Sequence, residues 1–442
     1  MSALANAQEK MRANGVSELG IKVFTHYFHQ LESGATGLIP EDTIEPITDA
    51  ADISTVEVSE AEAREALSKT VMLKLNGGLA TSMGMEHAKS LLPVTQGKRF
   101  IDIISQQVQW ARKEYGVKLP LILMNSFRTR DESLAALDES IQVEGLPLDF
   151  LQGKEPKLRV DNLEPVEWPA DPSLEWCPPG HGDIYTCLQD QGLVKKLLAQ
   201  GYRYLTTSNA DNLGSYPHPK IAGWFAKSGA PYAPEVCVRT AADRKGGHLA
   251  RRISDGHVIL RDTAQTPDQD MHYFTDEFRH RLFHTNNLWF NLEALDALLE
   301  ARDGIAGLPL IRNKKHVDPT DSSTPEVYQL ESAMGAIVEA FEGAQPILVP
   351  RDRFLPVKTT NDLLTIRSDA YELGADGILR LVVEKAPLVN LDPQYFKNIA
   401  DFEERFAVVP SLKGTTSFTV KGDVHFTEPQ TFTGDAVVQA GA

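Results

Sequence analysis

The run VMLKLNGGLATSMGMEHAKS, Val71 to Ser90, sets a strand-length apolar segment directly against a glycine-rich stretch. Val71 to Leu75 reads as a buried strand, being short and almost continuously apolar. Gly77 and Gly78 let backbone N–H groups approach a phosphate or a base where a Cβ would collide, and Lys89 adds a positive charge. The spacing fails G-x-x-x-x-G-K-[ST], since Met85 follows Gly84, and it fails G-x-G-x-x-G as well. On its own the stretch is equally a tight strand-to-helix turn. Its neighbours decide between the two readings.

Further apolar runs of strand length follow at Leu119 to Met124, Tyr204 to Thr207, Val236 to Val238 and Ile347 to Val349. They alternate with helical stretches, Ile101 to Tyr115 and Glu326 to Glu342. Continuous apolar strands imply a sheet buried on both faces. Alternation with helices implies an α/β fold with a mixed, largely parallel sheet, in which ligands bind beyond the carboxyl ends of the strands. Upstream, Ile21, Phe24, Phe28 and Leu31 line one face of a packing helix, and Ser59 with Glu62 forms a capping box ahead of another. Downstream, Val420, Phe426, Phe432 and Val438 fall at intervals of six, the period of a β-helix, with two edge hairpins as the other reading. So short a coil must dock on the rest of the chain or on another subunit, which leaves a homo-oligomer open.

The 442-residue chain, 42% hydrophobic, has material for a large core and more than one domain. Its formal charge of −17 argues against nucleic acid or an anionic membrane as a partner, because both reward a basic face. Lysines inside motifs therefore carry more weight than lysines elsewhere. The cysteines, Cys177, Cys187 and Cys237, form no C-x-x-C pair and read as ordinary residues of a reducing compartment. Ser2 to Glu9 lacks an apolar signal region and no stretch reaches the length of a membrane span, so a cytoplasmic location is expected.

Four more segments could carry chemistry. In WCPPGHGDIY, Trp176 to Tyr185, two prolines stiffen the approach and glycines flank His181, which favours a ligand-facing imidazole over a structural one. In SNADNLGS, Ser208 to Ser215, Asp211 follows a strand and is placed to hold a divalent cation, although on its own the segment reads better as an Asx turn through Asn209 or Asn212. Asn286 and Asn287, in HTNNLWFNL from His284 to Leu292, can donate and accept at once, as sugar hydroxyls require. Lys358 follows a proline in VPRDRFLPVKTTNDL, Val349 to Leu363. Arg351 and Arg353 read as salt-bridged surface or interdomain residues.

In this order, the motifs resemble those of the UTP–glucose-1-phosphate uridylyltransferase (UDP-glucose pyrophosphorylase) family. The resemblance runs from about Thr70 to Tyr371 and resumes near Arg405. It rests on KLNGGL with the later Lys-Ser, LMNSF at Leu123 to Phe127, PPGHGD, the Asn-x-Asp-Asn-Leu-Gly run, TNNLW and RFLPVK. It implies a nucleotidyltransferase-type, Rossmann-like domain over residues 46–365, after an N-terminal helical segment over 1–45. A C-terminal region over 366–442 would end in a short left-handed β-helix.

The resemblance also implies roles. Leu75, Asn76, Gly77, Gly78, Gln152, Gly180, Asn209 and Asp211 would bind UTP, and Lys89 and Lys358 its phosphates, as the catalytic pair. His181 would meet the sugar phosphate, Asn287 the hexose, and Asp211 would hold Mg²⁺. Ala80 stands where the family usually has glycine, and Glu86-His87-Ala88 replaces its common x-Gly-Pro before Lys89. The activity implied is Mg²⁺-dependent, reversible formation of UDP-glucose and pyrophosphate from UTP and glucose 1-phosphate. A pyrophosphorylase for galactose 1-phosphate or an N-acetylhexosamine 1-phosphate, or a non-catalytic sugar-nucleotide sensor, are the alternatives.

Overall fold

The computed structural model describes residues 2–240, 243 and 246–441. Its contacts divide the chain into two compact units: residues 1–71, 150–207 and 220–349 form the first, and residues 72–149, 208–219 and 350–442 the second.

The first unit holds a mixed sheet ordered Ala51–Asp52, Ile347–Leu348, Tyr232–Val238, Leu282–Asn291, Tyr204–Asn209. The first three strands are parallel, while Leu282–Asn291 runs antiparallel to both its neighbours. It is the one strand of this path running the other way, so the largely parallel α/β reading holds. The segment HTNNLWFNL, which carries Asn286 and Asn287, makes up most of this central strand. Helices Glu18–Glu32, Ile184–Asp190 and Leu292–Ala301 belong to the same unit. Ser17 caps the first by accepting from Gly20 N at 3.1 Å. Its Ile21, Phe24, Phe28 and Leu31 pack on Met11, Leu158, Leu310 and Leu330, as the spacing predicts. Each such side chain contributes about 1.5–3 kcal/mol when fully buried. The capping box of Ser59 and Glu62 is also present.

One predicted helix is absent. Glu326–Glu331 is a strand between Ile311–His316 and Leu158–Arg159, and Met334–Ala340 is a 3₁₀ segment. Tertiary contacts override the local preference. Ser332 N donates to Pro179 O at 3.0 Å and Ser332 O accepts from Gly182 N at 2.8 Å, which commits that backbone to the PPGHGD motif.

In the second unit, Met72 to Asn76 pairs in parallel with Leu121–Asn125. The helix Phe100–Tyr115, which ends at left-handed Gly116, buries Phe100, Ile103, Ile104 and Val108. The tail is a parallel ladder of Leu388–Leu391, Ser411–Lys421 and Thr431–Gln439, with Val420 opposite Val438. Two of the four periodic residues, Val420 and Phe426, are buried, and Phe432 and Val438 are half-buried. The Phe426 ring stacks on Phe406 at 4.6 Å, and Leu412 N and Lys413 N donate to Asp369 at 2.9 and 3.1 Å, so the ladder is docked within its own unit.

Candidate active site

The glycine-rich stretch leaves the strand Thr70–Asn76 and returns on itself. Leu79 and Ala88 form an antiparallel bridge, and Lys89 N donates to Gly78 O at 3.1 Å. Ala80 is buried at φ −78°, a conformation open to any residue, so its methyl imposes no strain. Its carbonyl accepts from Met83 N and Met85 N at 2.9 and 3.1 Å, closing the turn. A Cβ built on Gly78 would meet no protein atom within 4 Å. Space, not strain, is therefore what Gly78 provides.

The SNADNLGS turn lies beside this strand end, because Ala210 N donates to Leu75 O at 3.0 Å. Lys74, fully buried, donates from Nζ to Ser208 Oγ at 2.8 Å and to Ser215 Oγ at 2.6 Å, fastening strand and turn together. Asn212 makes the Asx turn, its Oδ1 accepting from Gly214 N at 3.2 Å and from Leu355 N at 2.8 Å. Asn209 ends the strand Tyr204–Asn209 and its carbonyl accepts from Asn212 N at 3.2 Å.

Asp211 is left to face Lys89, whose Nζ donates to its Oδ2 at 2.6 Å. Asp211 Oδ1 is shielded and has no hydrogen-bond partner. Val357 N donates to Asp211 O at 3.3 Å, which sets exposed Lys358 on the adjoining backbone position. The second unit thus brings together Leu75, Asn76, Gly77, Gly78, Lys89, Asn209, Asp211 and Lys358. Of the two readings for Arg353, surface or interdomain, the surface one fails: it is 2% exposed, lies over the Tyr216 ring at 4.7 Å and donates to Tyr216 O at 2.7 Å.

The first unit holds the other predicted residues. Gln152 Nε2 donates to Gly180 O at 2.9 Å, and Gly180 has φ +78°. A Cβ there would stand 2.6 Å from Ser332 O, so only glycine fits. Asp183, whose carboxyl is pushed up by burial, braces the segment by accepting from Gly153 N at 2.6 Å. His181 Nδ1 accepts from Met334 N at 2.8 Å, which places the ring proton on Nε2.

Desolvation by the surrounding protein lowers His181 to about 4, although part of the residue is open to solvent, and lowers buried His284 to about 3, the latter helped by His181. Both rings are therefore neutral at physiological pH. Imidazole NMR is expected to show neither protonating between pH 8 and 5, with His181 in the Nε2–H form. A His181 midpoint near 6.5 would contradict this geometry.

Asn287 lies three residues beyond His284 on the strand Leu282–Asn291. Its Nδ2 donates at 3.1 Å to Glu235, a wholly buried carboxylate that also accepts from Trp289 Nε1 at 2.9 Å. Asn286 beside it has φ +61°, next to a bulge against Pro234 and Val236. Sequence reading missed Lys74, Glu235 and Ser332. Lys74 had the signal of lying inside KLNGGL, whereas Glu235 beside an apolar run and Ser332 within Glu326 to Glu342 had none.

Among the described residues no cluster of three His, Cys, Asp or Glu side chains could hold a metal ion, and no helix is long and apolar enough to cross a membrane. All three cysteines are buried, and among the described residues none forms a disulfide.

Comparison with known proteins agrees with the motifs. A family model described as UTP–glucose-1-phosphate uridylyltransferase matches residues 21–432. The uridylyltransferase of that name from Solanum tuberosum is 36% identical over 91% of this chain and 82% of its own length. The one from Saccharomyces cerevisiae is 37% identical over 84% and 74%. A mutant UDP-glucose pyrophosphorylase from Leishmania major, solved in complex with UDP-glucose, superposes with a TM-score of 0.92 at 40% identity, covering 98% of this chain and 94% of that one.

Proposed function

Because the chain belongs to the UTP–glucose-1-phosphate uridylyltransferase family, and so makes UDP-glucose and pyrophosphate from UTP and glucose 1-phosphate, we propose the following mechanism for its residues. A phosphate oxygen of glucose 1-phosphate attacks the α-phosphorus of UTP in line with the departing pyrophosphate. The new P–O bond forms as the bond to the β-phosphate breaks, and no proton moves. The nucleophile is already an anion at neutral pH, so no general base and no covalent intermediate are needed. His181, neutral and with its proton on Nε2, acts as a donor to the sugar phosphate rather than as a base. One phosphoanhydride replaces another, so the reaction is reversible.

The difficulty is charge. Two unit charges about 4 Å apart repel by roughly 4 kcal/mol at an effective dielectric near 20, and here several meet. Catalysis is therefore positioning plus electrostatic stabilisation. Lys89 and Lys358 supply fixed positive charge to the phosphates. In the second unit Leu75, Asn76, Gly77, Gly78 and Asn209 contact the nucleotide, Gly77 and Gly78 on its base side. In the first unit Gln152 reads the base, Gly180 contacts the nucleotide and Asn287 faces the hexose.

Asp211 fits a divalent cation, since its Oδ1 is buried without a partner and Mg²⁺ takes one or two carboxylates together with substrate oxygens. Bound there, Mg²⁺ would supply further charge neutralisation of phosphate oxygens. The juxtaposition of Lys89 with Asp211 beside the glycine-rich turn is the observation that carries this reading. The tail ladder fits a short left-handed β-helix, and three buried cysteines outside any disulfide fit a cytoplasmic setting.

Pyrophosphate release from UTP, assayed with glucose, galactose and N-acetylglucosamine 1-phosphates, tests the proposal. Release is expected with glucose 1-phosphate and Mg²⁺ and is expected to stop when EDTA removes the metal. Undiminished release in EDTA would remove the metal from Asp211, and no release with any sugar phosphate would leave a binding protein.

A further inference from the structure

Both ends of the glycine-rich turn are tied to one short helix, Arg130–Ala136. At the entry, Asn76 Nδ2 donates to Ser133 Oγ at 2.8 Å and to Asn125 Oδ1 at 2.7 Å. At the exit, the neighbouring residue Glu132 accepts from Ala88 N through Oε1 and pairs through Oε2 with His87 Nδ1 at 2.9 Å. Lys89 follows at once, its backbone bonded to Gly78 and its ammonium to Asp211. The path of the chain through Ala88 therefore sets where the Lys89 side chain begins.

We propose that Glu132 is a positioning residue for Lys89, acting through the Ala88 N–H. Ala88 is fully buried, and a buried N–H without an acceptor is costly. A proline here would have no N–H to satisfy. This chain has alanine, and the first turn of the helix carries the carboxylate that meets the resulting donor. The pairing with His87 is a lesser contributor, because that side chain is 75% exposed and solvent screens it. Ala88 has φ −54°, already within the range of proline.

The proposal rests on Lys89 as a phosphate ligand, so its test includes a readout independent of turnover. In the full-length chain, Glu132→Ala is expected to speed amide hydrogen exchange across residues 79–89 and to lower kcat/KM for UTP about tenfold. Glu132→Gln keeps an acceptor for Ala88 N–H and is expected to stay within about threefold of the parent in both measurements. Ala88→Pro on the Glu132→Ala background is expected to restore kcat/KM to within about threefold. Glu132→Ala matching the parent in exchange would overturn the clamp whatever the enzyme does. Faster exchange with unchanged kcat/KM for UTP would overturn the link to Lys89. Glu132→Gln as impaired as Glu132→Ala would overturn the N–H as its route and assign the effect to charge.

Discussion

Asp211→Asn is expected to lower turnover about 10³-fold with UTP, glucose 1-phosphate and Mg²⁺ all saturating. The exchange is close to isosteric and leaves the Asx turn of Asn212 in place, so the fold should be retained. What it removes is the anionic charge, both opposite Lys89 and from the oxygens suited to Mg²⁺. Losing a single preorganised donor typically costs 10²–10³-fold, and here two functions fail together. Initial rates across a Mg²⁺ titration check it. Near-parental turnover at saturating metal would refute the assignment of Asp211.

Lys358→Ala is expected to slow turnover at least about 10²-fold, with a smaller change in the KM for UTP. The split matters because a lysine that merely binds the ground state would raise KM and spare kcat. Its backbone is fixed independently of its side chain: Lys358 N donates to Asp362 Oδ2 at 2.9 Å, and Val357 N reaches Asp211 O. The substitution should therefore leave the turn around Asp211 intact. A Lys358→Ala enzyme with near-normal kcat at saturating substrates would sink the catalytic role. Lys358→Arg retains charge on a different shape and is expected to recover only part of the rate.

The strands were legible because Val71 to Leu75, Leu119 to Met124 and Tyr204 to Thr207 are short, largely apolar runs, as burial on both faces demands. Leu282–Asn291 was not, since its polar residues His284, Thr285 and Asn287 are buried, the last two against Glu235, a partner distant in sequence. Thr285 Oγ1, for example, donates to Glu235 O at 2.7 Å. Local pattern carries no trace of such pairing. Likewise Glu326 to Glu342 has the residues of a helix, and only the backbone of Ser332, captured by Pro179 and Gly182, shows why it is not one. At the candidate site, the motifs named residues on turns and at strand ends, with Asn287 inside a strand. Those beneath them, Lys74 and Glu235, look like ordinary strand positions.

Glu235 has a bearing on redesign of hexose preference. The Asn287 amide nitrogen is committed to this buried carboxylate, as is the Trp289 indole. A library randomised at position 287 alone removes a donor from a charge that cannot reach water, and most of its members will lose stability before any change in selectivity can be scored. Positions 235, 287 and 289 form one unit of variation, and recombining them together is the economical search.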